Sequence, residues 1–244
     1  MIELDLDTHI YTNPKKPTVV YKSVTTLLGD YKPHFDEDYH ATRVGERRGL
    51  DKEIIIAEWR ELNRIANEYG TNLHNIMERY TSSPKRLYSP RDDFEKQVIY
   101  AFKKCCEEEQ LEILFNHNVL SECIMSLEFN EFNGIGGTSD IIEIIPGNKF
   151  NVWDYKTNKT FAFENDYDEY FYFPLNHLTY CSYNMYAMQI SIYALMYERM
   201  TGLRFNRGGL FYWDKNMENF RLIPVSYMKN EVELLLQHYE INLN

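Results

Sequence analysis

The stretch from Gly134 to Lys156, GIGGTSDIIEIIPGNKFNVWDYK, constrains the fold of this chain more than any other. The glycines at its start predict a tight turn. The β-branched and aromatic residues on either side of Pro146-Gly147-Asn148 predict two strands joined by a second turn. Folding this hairpin about Gly147 places Asp140 opposite Asp154 or one residue away from it, and facing residues of antiparallel strands lie about 5 Å apart.

Asp154 and Lys156 are two positions apart, so both side chains project from the same face of their strand. Together with Asp140 they gather two carboxylates and one ammonium in a small patch. Two neighbouring carboxylates repel each other unless a cation or a proton neutralises them, so the patch favours a hard divalent metal ion. A lysine beside it can orient a water molecule or stabilise developing negative charge. The alternative is a solvated ion pair, a common setting for Asp-x-Lys on a strand.

The chain has 244 residues, of which 44% are hydrophobic, enough for one large domain or a domain with an appended helical lobe. It contains no apolar run of about 18 residues that would predict a membrane-spanning helix, and its acidic, polar start is unlike a signal peptide. Cys105, Cys106, Cys123 and Cys181 have no CxxC spacing, so we expect free thiols in a reducing cytoplasm and no zinc or iron–sulfur site.

The net charge of −11 argues against a protein that grips nucleic acid over a broad surface, but it leaves room for a local basic channel. The densest basic cluster is Arg43, Arg47 and Arg48, within a segment of short helices or loop from Tyr31 onwards. This arginine cluster is either a solvated helix face or a phosphate-binding patch.

Apolar residues recur at alternating steps of three and four from Asp51 to Tyr80, which predicts one long helix or two helices that meet near Gly70. His74 and Glu78 lie four residues apart on the flank of this apolar stripe, where Gly70 leaves room for close approach. The histidine is either a structural residue or part of a site. A second helix is predicted from about 92 to 110.

The second half of the chain alternates strands and helices. A strand is predicted over 118–132, with Glu122 on a strand next to the acidic pair, where it could share a metal ion or face solvent. A loop rich in aromatic residues follows Lys156. A strong helix over 183–200 places Gln189 and Tyr193 on one face, so the amide must find a hydrogen-bond partner in the core or at the site. Two strands and a final helix complete the chain.

The predicted order is αβββαβ, and the chain carries Asp-x13-Asp-Tyr-Lys and Gln-x3-Tyr spacings. In these features it resembles the PD-(D/E)XK nuclease superfamily, and within it the RecB-like exonuclease branch. The matching segments are GTNLH at 70–74, GTSD at 137–140, DYK at 154–156 and QISIY at 189–193, in the order of the family. The similarity runs from about Ser23 to the last helix.

The resemblance implies an α/β (α+β) fold with a restriction-endonuclease-like αβββαβ core, a mixed central sheet flanked by helices, and an N-terminal helical lobe. It implies one nuclease domain over residues 1–244, helical to about residue 115 and with the catalytic sheet and C-terminal helix from about 116. Asp140 and Asp154 would bind Mg²⁺ or Mn²⁺ together with the backbone carbonyl of Tyr155, and Lys156 would position or activate the attacking water.

Three further positions follow from the same resemblance. His74 matches a helical histidine that adds a metal ligand, and imidazole suits Mn²⁺ better than Mg²⁺. Glu122 resembles the acidic residue before the glycine-rich segment and is a further candidate ligand. Gln189 and Tyr193 match a motif that contacts DNA or holds the site together.

The resemblance therefore predicts a metal-dependent DNA exonuclease of phage or bacterial recombination, repair or replication that leaves 5′-phosphates and carries no iron–sulfur cluster. The alternatives are an endonuclease of the same fold and a non-cleaving DNA-end-binding subunit. The presence of Asp140, Asp154 and Lys156 together argues against the non-cleaving subunit, because a site that has lost its activity need not keep all three. Linear DNA is the expected partner. A single-strand annealing or single-strand-binding protein and a second copy of the chain are further candidates, a membrane is not, and the expected location is the bacterial cytoplasm.

Overall fold

The computed structural model describes residues 2–5, 8, 10–82, 88–114, 118–165 and 167–243. Within these ranges one mixed sheet is flanked by α-helices on both faces, which confirms the expected fold class. The strands are β1 (Glu3–Asp5), β2 (Ile10–Thr12), β3 (Val20–Ser23), β4 (Val119–Glu128), β5 (Asn133–Ile145), β6 (Lys149–Lys156), β7 (Arg204–Asp214) and β8 (Asn219–Val225). The helices are α1 (Val24–Gly29), α2 (Glu37–Arg48), α3 (Lys52–Ser82), α4 (Asp93–Glu108), α5 (Ser182–Thr201) and α6 (Lys229–Ile241), with a short 3₁₀ helix at Glu112–Leu114.

The central strand of the sheet is β5, which pairs with three other strands. Antiparallel β4 follows one of its edges from Gly134 to Glu143. On the other edge, β3 runs parallel to its first residues as far as Gly136, and β6 runs antiparallel to its last residues from Ile141 onwards. Between Gly136 and Ile141 that edge is paired to neither strand in the described part of the chain, so β3 and β6 diverge there like the arms of a fork.

The remaining strands extend the sheet on both sides of this fork. Strands β1 and β2 continue it beyond β3 by antiparallel pairing. On the other side β7 pairs parallel to β6, and β8 pairs antiparallel to β7. The N-terminal residues therefore form three strands of the main sheet before the first long helices begin.

The two faces of the sheet carry separate hydrophobic cores. On one face α1, α5 and α6 cover residues such as Ile142 and Val152. On the other face α3 and α4 cover Trp153, Tyr155 and Phe211. Because neighbouring strand residues point to opposite faces, β6 is apolar on both sides, as expected of a central strand.

The long apolar stripe forms one continuous helix, α3, rather than two helices that meet at Gly70. Gly70 has a packing role instead, since a Cβ at this position would lie 3.0 Å from Oγ1 of Thr157. The glycine therefore lets α3 cross close to the end of β6. No helix among the described residues is long and apolar enough to span a membrane.

The glycine-rich segment at 134–137 is not the predicted turn, because it lies inside β5. The chain turns just before it, where Oδ1 of Asn130 accepts hydrogen bonds from the backbone N–H groups of Phe132 and Asn133. The glycines make room for aromatic rings: a Cβ at Gly136 would lie 2.6 Å from the Tyr11 ring. These rings come from distant parts of the chain, which a local reading of the sequence does not detect.

Candidate active site

The acidic pair lies at the fork of the sheet. The β5–β6 register pairs Ile141 with Trp153, and the next residues outward are Asp140 and Asp154. Here the two strands separate, and the backbone N–H of Tyr155 donates to Oδ2 of Asp140 at 2.6 Å instead of to another strand. The side chain of Asp140 thus substitutes for a missing ladder bond and is held in a fixed orientation.

Asp154 and Lys156 form a buried ion pair beside this carboxylate. Nζ of Lys156 lies 2.5 Å from Oδ2 of Asp154. Oδ2 is inaccessible to solvent and makes no correctly oriented hydrogen bond to any group that the structure describes. A carboxylate has about four lone-pair sites, so Asp154 can accept a further cation beside the Lys156 ammonium.

A second group of ligand atoms lies on the other side of Asp140. Three possible ligand atoms lie within 4.8 Å of one another, close enough to share a metal ion, and they belong to His74, Glu122 and Asp140. Nδ1 of His74 is 3.3 Å from Oδ1 of Asp140, and the imidazole packs edge-on against the ring of Tyr155 at 5.8 Å. Helix α3 therefore delivers an imidazole to carboxylates that belong to the sheet.

Glu122 has an unusual backbone conformation, with a φ of 49°. It lies between the β4–β5 pairs Ser121–Ile141 and Cys123–Ser139, so it faces Asp140 across the ladder. A non-glycine residue in the left-handed region costs of order 1–3 kcal/mol, and such strain is concentrated at functional sites. The structure thus maintains a strained acidic residue opposite a buried one.

The carboxylates and the imidazole shift one another's pKa values. Burial together with the charges of Asp140 and Glu78 raises the pKa of Glu122 to about 8. Burial and the charge of Asp140 raise the pKa of Asp154 to about 6, in opposition to Lys156. Burial lowers the pKa of His74, but Asp140 and Asp154 outweigh it and raise that pKa to about 9.

Asp140 and Lys156 remain charged in this environment. Burial opposes ionisation of Asp140, but His74 and Lys156 hold the pKa of this carboxyl below its usual value. Burial also opposes the charge of Lys156, but Asp154 and Asp140 raise its pKa. The site therefore combines a carboxyl and an ammonium whose charged forms are favoured with neighbours whose pKa values lie between about 6 and 9.

A cleft of about 850 Å³ opens above the trio of possible ligands. Its walls are α3, through residues such as Gly70 and Thr71, and β1, through Leu4; its floor includes Glu122 and Asp140. The trio therefore lies on the lining of an open cleft. This is the arrangement expected of a site that receives a polar substrate.

Gln189 and Tyr193 lie behind the site rather than in the cleft. Both are buried on α5, and Nε2 of Gln189 donates to the hydroxyl of Tyr193 at 3.0 Å. The Tyr193 ring packs against Gly137, where a Cβ would come within 2.6 Å of it. This burial favours the interpretation that the pair holds β5 in place over direct contact with DNA.

The arginine cluster lies away from the site. It belongs to α2, which packs on the first turns of α3, and the Arg48 guanidinium binds both carboxylate oxygens of Glu58 at 2.6 and 3.0 Å. Glu58 precedes His74 by 16 residues on the same helix, a separation of about 24 Å along its axis. The structure therefore does not bring Arg43, Arg47 or Arg48 into the cleft.

Two polar neighbours of Lys156 were not predicted from the sequence. The Lys156 ammonium lies 4.6 Å from the centre of the Tyr186 ring. Asn158 donates to the Tyr186 hydroxyl, and its own carbonyl accepts from Tyr212 at 2.7 Å. The sequence position of Tyr186 could have indicated its role, because Tyr186 precedes Gln189 by nearly one helical turn and lies on the same side of α5.

Comparison with protein families identifies the chain. The family model of the PD-(D/E)XK nuclease superfamily matches residues 45–240, which include His74, Glu122, Asp140, Asp154, Lys156, Gln189 and Tyr193. The chain belongs to the PD-(D/E)XK nuclease superfamily. No curated protein matches it.

Two solved structures are similar to this PD-(D/E)XK nuclease. One is a candidate exonuclease from Eubacterium rectale, at 16% identity and a TM-score of 0.40, over 73% of this chain and 64% of that chain. The other is the protein SSO0001, at 20% identity and a TM-score of 0.33, over 70% of this chain and 75% of that chain. The chain thus spans about two thirds of the Eubacterium rectale protein.

PD-(D/E)XK nucleases use divalent metal ions, and the donors in this chain suit such an ion. Carboxylate oxygens and one imidazole are ligands of Mg²⁺ and Mn²⁺. His74, Glu122 and Asp140 bring their ligand atoms within 4.8 Å of one another, and in the absence of a metal ion the His74 imidazolium pairs with Asp140. The buried carboxylate of Asp154, which pairs with Lys156, provides a further ligand group.

Proposed function

We propose that this PD-(D/E)XK nuclease is a metal-dependent exonuclease that hydrolyses DNA from its ends and leaves 5′-phosphates, as in the RecB-like branch. The observation that carries the proposal is the fork of the sheet, where a metal-ligand trio and an Asp–Lys pair meet at one carboxylate, Asp140. The GTNLH segment with His74 and the buried Gln189–Tyr193 pair support the RecB-like branch.

In the proposed reaction, His74, Asp140 and Asp154 would hold the metal ion, with Glu122 and the carbonyl of Tyr155 as further ligands. When bound, the ion would supply Lewis-acid chemistry for the activation of water and the neutralisation of charge on the scissile phosphate. Lys156 remains protonated, because Asp154 and Asp140 raise its pKa, so its ammonium orients the water and stabilises negative charge on phosphate oxygens. Asp140 is kept in position by the Tyr155 N–H.

The arginine cluster is proposed to bind DNA beyond the reacting nucleotide. At about 24 Å from His74 along α3, it would contact a duplex about seven base pairs away. Recombination, repair or replication of phage or bacterial DNA in the cytoplasm is the proposed setting. A single-strand annealing or single-strand-binding protein, or a second copy of the chain, would be its partner.

The test is digestion of linear DNA labelled at the 5′ or the 3′ end, beside a covalently closed circle, with Mg²⁺, Mn²⁺ or chelator. We expect metal-dependent loss of the linear DNA, products with 5′-phosphates and an intact circle. Cutting of the circle would indicate an endonuclease. Tight binding to ends without cleavage in either metal would indicate a non-cleaving subunit.

Two variants connect the activity to this site. Asp154→Asn keeps the size of the side chain and should abolish cleavage. Asp214→Asn, at the end of β7, alters an acidic residue outside the ligand trio and should leave cleavage unchanged. Equal activity of Asp154→Asn and the wild-type protein would refute the assignment.

A further inference from the structure

A row of four aromatic rings begins at Lys156 and runs along the start of α5. The rings belong to Tyr186, Phe161, Phe163 and Tyr183, and neighbouring centroids lie 5.2–6.0 Å apart. The Lys156 ammonium lies 4.6 Å from the first ring. The aromatic row is therefore continuous with the residue that would contact the scissile phosphate.

The outer part of the aromatic row is open to solvent yet fixed in place. Phe163 is 60% exposed, although it is a large apolar side chain. Its backbone carbonyl accepts from Sγ of Cys181 at 3.3 Å, and the carbonyl of Ala162 accepts from the Tyr183 N–H at 3.0 Å. The exposed ring thus stands on a segment anchored to the first turn of α5, so little conformational entropy would be lost when a ligand binds to it.

Positive charge lies along the inner part of the row. Lys156 is at its start, and the exposed Lys159 precedes Phe161 by two residues. The Arg221 guanidinium lies 5.4 Å from the centre of the Tyr212 ring, which in turn packs against Phe161 at 5.5 Å. Lys156 against the first ring, with Lys159 and Arg221 nearby in the sequence or through the buried Tyr212 ring, suits a ligand that combines flat aromatic groups with an anionic backbone.

The row has a limited length. Beyond Phe163 the chain carries exposed acidic residues, Glu164, Asp168 and Glu169, which repel phosphates. The surface that suits a nucleic acid therefore ends near Phe163. Long-range affinity for DNA must then come from elsewhere on the surface.

We propose that the aromatic row is a stacking platform for the unpaired bases of a single DNA strand, beside the phosphate that is cleaved. The proposal rests on the proposed nuclease function and names its substrate class. Bases inside a duplex have both faces covered by neighbouring pairs, and a blunt end exposes one face of its last pair, whereas each base of an unpaired strand can present a π-face to Phe163 and Tyr183. Stacking on such rings is tolerant of sequence, which suits an enzyme that degrades any sequence.

The platform can be tested by DNA binding in the Asp154→Asn background, with Mg²⁺ present and cleavage prevented. The probes are a fluorescein-labelled oligothymidine of about 12 nucleotides and a blunt duplex of the same length. Phe163→Ala should weaken binding of the single strand by about 5- to 100-fold, the usual range for one lost base–ring stack, and should affect the duplex much less. Phe163→Tyr keeps a ring and should bind like the parent protein.

The matched control is Tyr167→Ala. Tyr167 lies on the same segment and is 84% exposed, but it is not part of the aromatic row. It should leave both affinities unchanged. An oligonucleotide with one 2-aminopurine near its end reports stacking directly, since its fluorescence should be quenched by the parent protein and by Phe163→Tyr but not by Phe163→Ala.

The outcomes separate this proposal from the proposed nuclease function. If the wild-type protein digests linear DNA but Phe163→Ala binds the single strand as Tyr167→Ala does, the platform is wrong and the nuclease function stands. If binding and quenching depend on Phe163 but no DNA is cleaved, the platform stands and the exonuclease proposal fails. Equal weakening of single-stranded and duplex binding by Phe163→Ala would also overturn the platform.

Discussion

The Lys156 ammonium lies over the ring of Tyr186 at 4.6 Å while it contacts Oδ2 of Asp154 at 2.5 Å. The aromatic ring and the carboxylate together fix the position of the charge. Tyr186 is itself held by Asn158, which is anchored to Tyr212. The orientation of the lysine thus depends on α5 as well as on its own strand.

Tyr186 should therefore act as a positioning residue. Removal of the ring in Tyr186→Leu loses a cation–π contact of about 0.5–2 kcal/mol, so we expect the rate of cleavage at saturating DNA to fall about tenfold. Tyr186→Phe retains the ring and should keep most of the rate. A fall in kcat for Leu but not for Phe, with the same melting temperature, would support this role, whereas equal losses in both variants would point to the hydroxyl group instead.

The acidity of Glu122 should reduce the stability of the metal-free protein at high pH. Because the fold raises the pKa of Glu122 from 4.5 to about 8, its protonated form is favoured in the folded state. The protonated Glu122 carboxyl therefore contributes fully to the stability of the folded state below about pH 4.5, and this contribution is lost as the pH rises to about 8.

The variant Glu122→Gln removes this titration. With chelator present, we expect the melting temperature of the variant to exceed that of the wild-type protein by more near pH 9 than near pH 5, because the glutamine carries no buried charge at high pH. Glu112→Gln, in the 3₁₀ helix, is an acidic control outside the site. A constant difference across the pH range would show that Glu122 does not titrate as described.

Metal binding should release protons and strengthen with pH. In the metal-free protein the pKa of His74 is raised from 6.5 to about 9, so the imidazolium stabilises the fold below about pH 6.5 and this contribution is lost towards pH 9. A metal ion needs the neutral imidazole, so the affinity for Mn²⁺ should rise between about pH 6 and 9.

Calorimetry in two buffers with different ionisation enthalpies counts the released protons. For the wild-type protein near pH 7 we expect between one and two protons, from His74 and Glu122, and for His74→Gln about one proton fewer. A proton count that is unaffected by this substitution would exclude His74 as a ligand.

The packing of Gly137 against Tyr193 should make this glycine irreplaceable. The Cβ of Gly137→Ala would lie 2.6 Å from the buried ring, so either the strand or α5 must move, at a cost of about 1–3 kcal/mol. We expect a melting temperature lower by about 2–12 °C and reduced activity. Gly29→Ala is the control, because a Cβ there meets no atom within 4 Å. Similar stability of both variants would contradict the packing described.

Two neighbouring arginines should differ in their effect on DNA binding. Arg48 is engaged by both oxygens of Glu58, whereas the Nε of Arg47 donates only to the carbonyl of Arg43 at 3.3 Å. We expect Arg47→Ala to weaken DNA binding and to reduce the slope of log K against log salt concentration by about one. Arg48→Ala should have a smaller effect. An unchanged slope for Arg47→Ala would remove the arginine cluster from the DNA-binding surface.

The sequence was informative wherever the structure is determined by local periodicity. Alternation in the two strands and the turn at Gly147 predicted that Asp140 lies opposite Asp154 or one residue away, and the register of β5 and β6 ends at Ile141 and Trp153, one residue before this pair. The stripe that ends at Tyr80 predicted α3, and the four motifs in family order predicted the superfamily.

The parts that could not be predicted depend on contacts between distant segments. The glycines at 134–137 were predicted to form a turn, whereas in the structure they make room for the rings of Tyr11, Tyr21 and Tyr193. These rings are far away in the sequence, so the local pattern did not reveal this role. The aromatic ring over Lys156 has the same origin, since Tyr186 follows it by 30 residues and a long irregular segment. Periodicity carries no information about which side chain reaches across such a loop.

The parallel pairing of β3 with β5 has a consequence for the synthesis of the protein. Tyr21 is aligned with Gly134, so more than a hundred residues separate partners in one ladder. Pairs so distant in sequence form slowly, because a large loop must close before they contribute any stability. A ribosome adds about 5–20 residues per second, so the first strands would wait for several seconds before β5 emerges. During that interval their edges are exposed, and nascent chains would be most vulnerable to aggregation or chaperone capture at this stage.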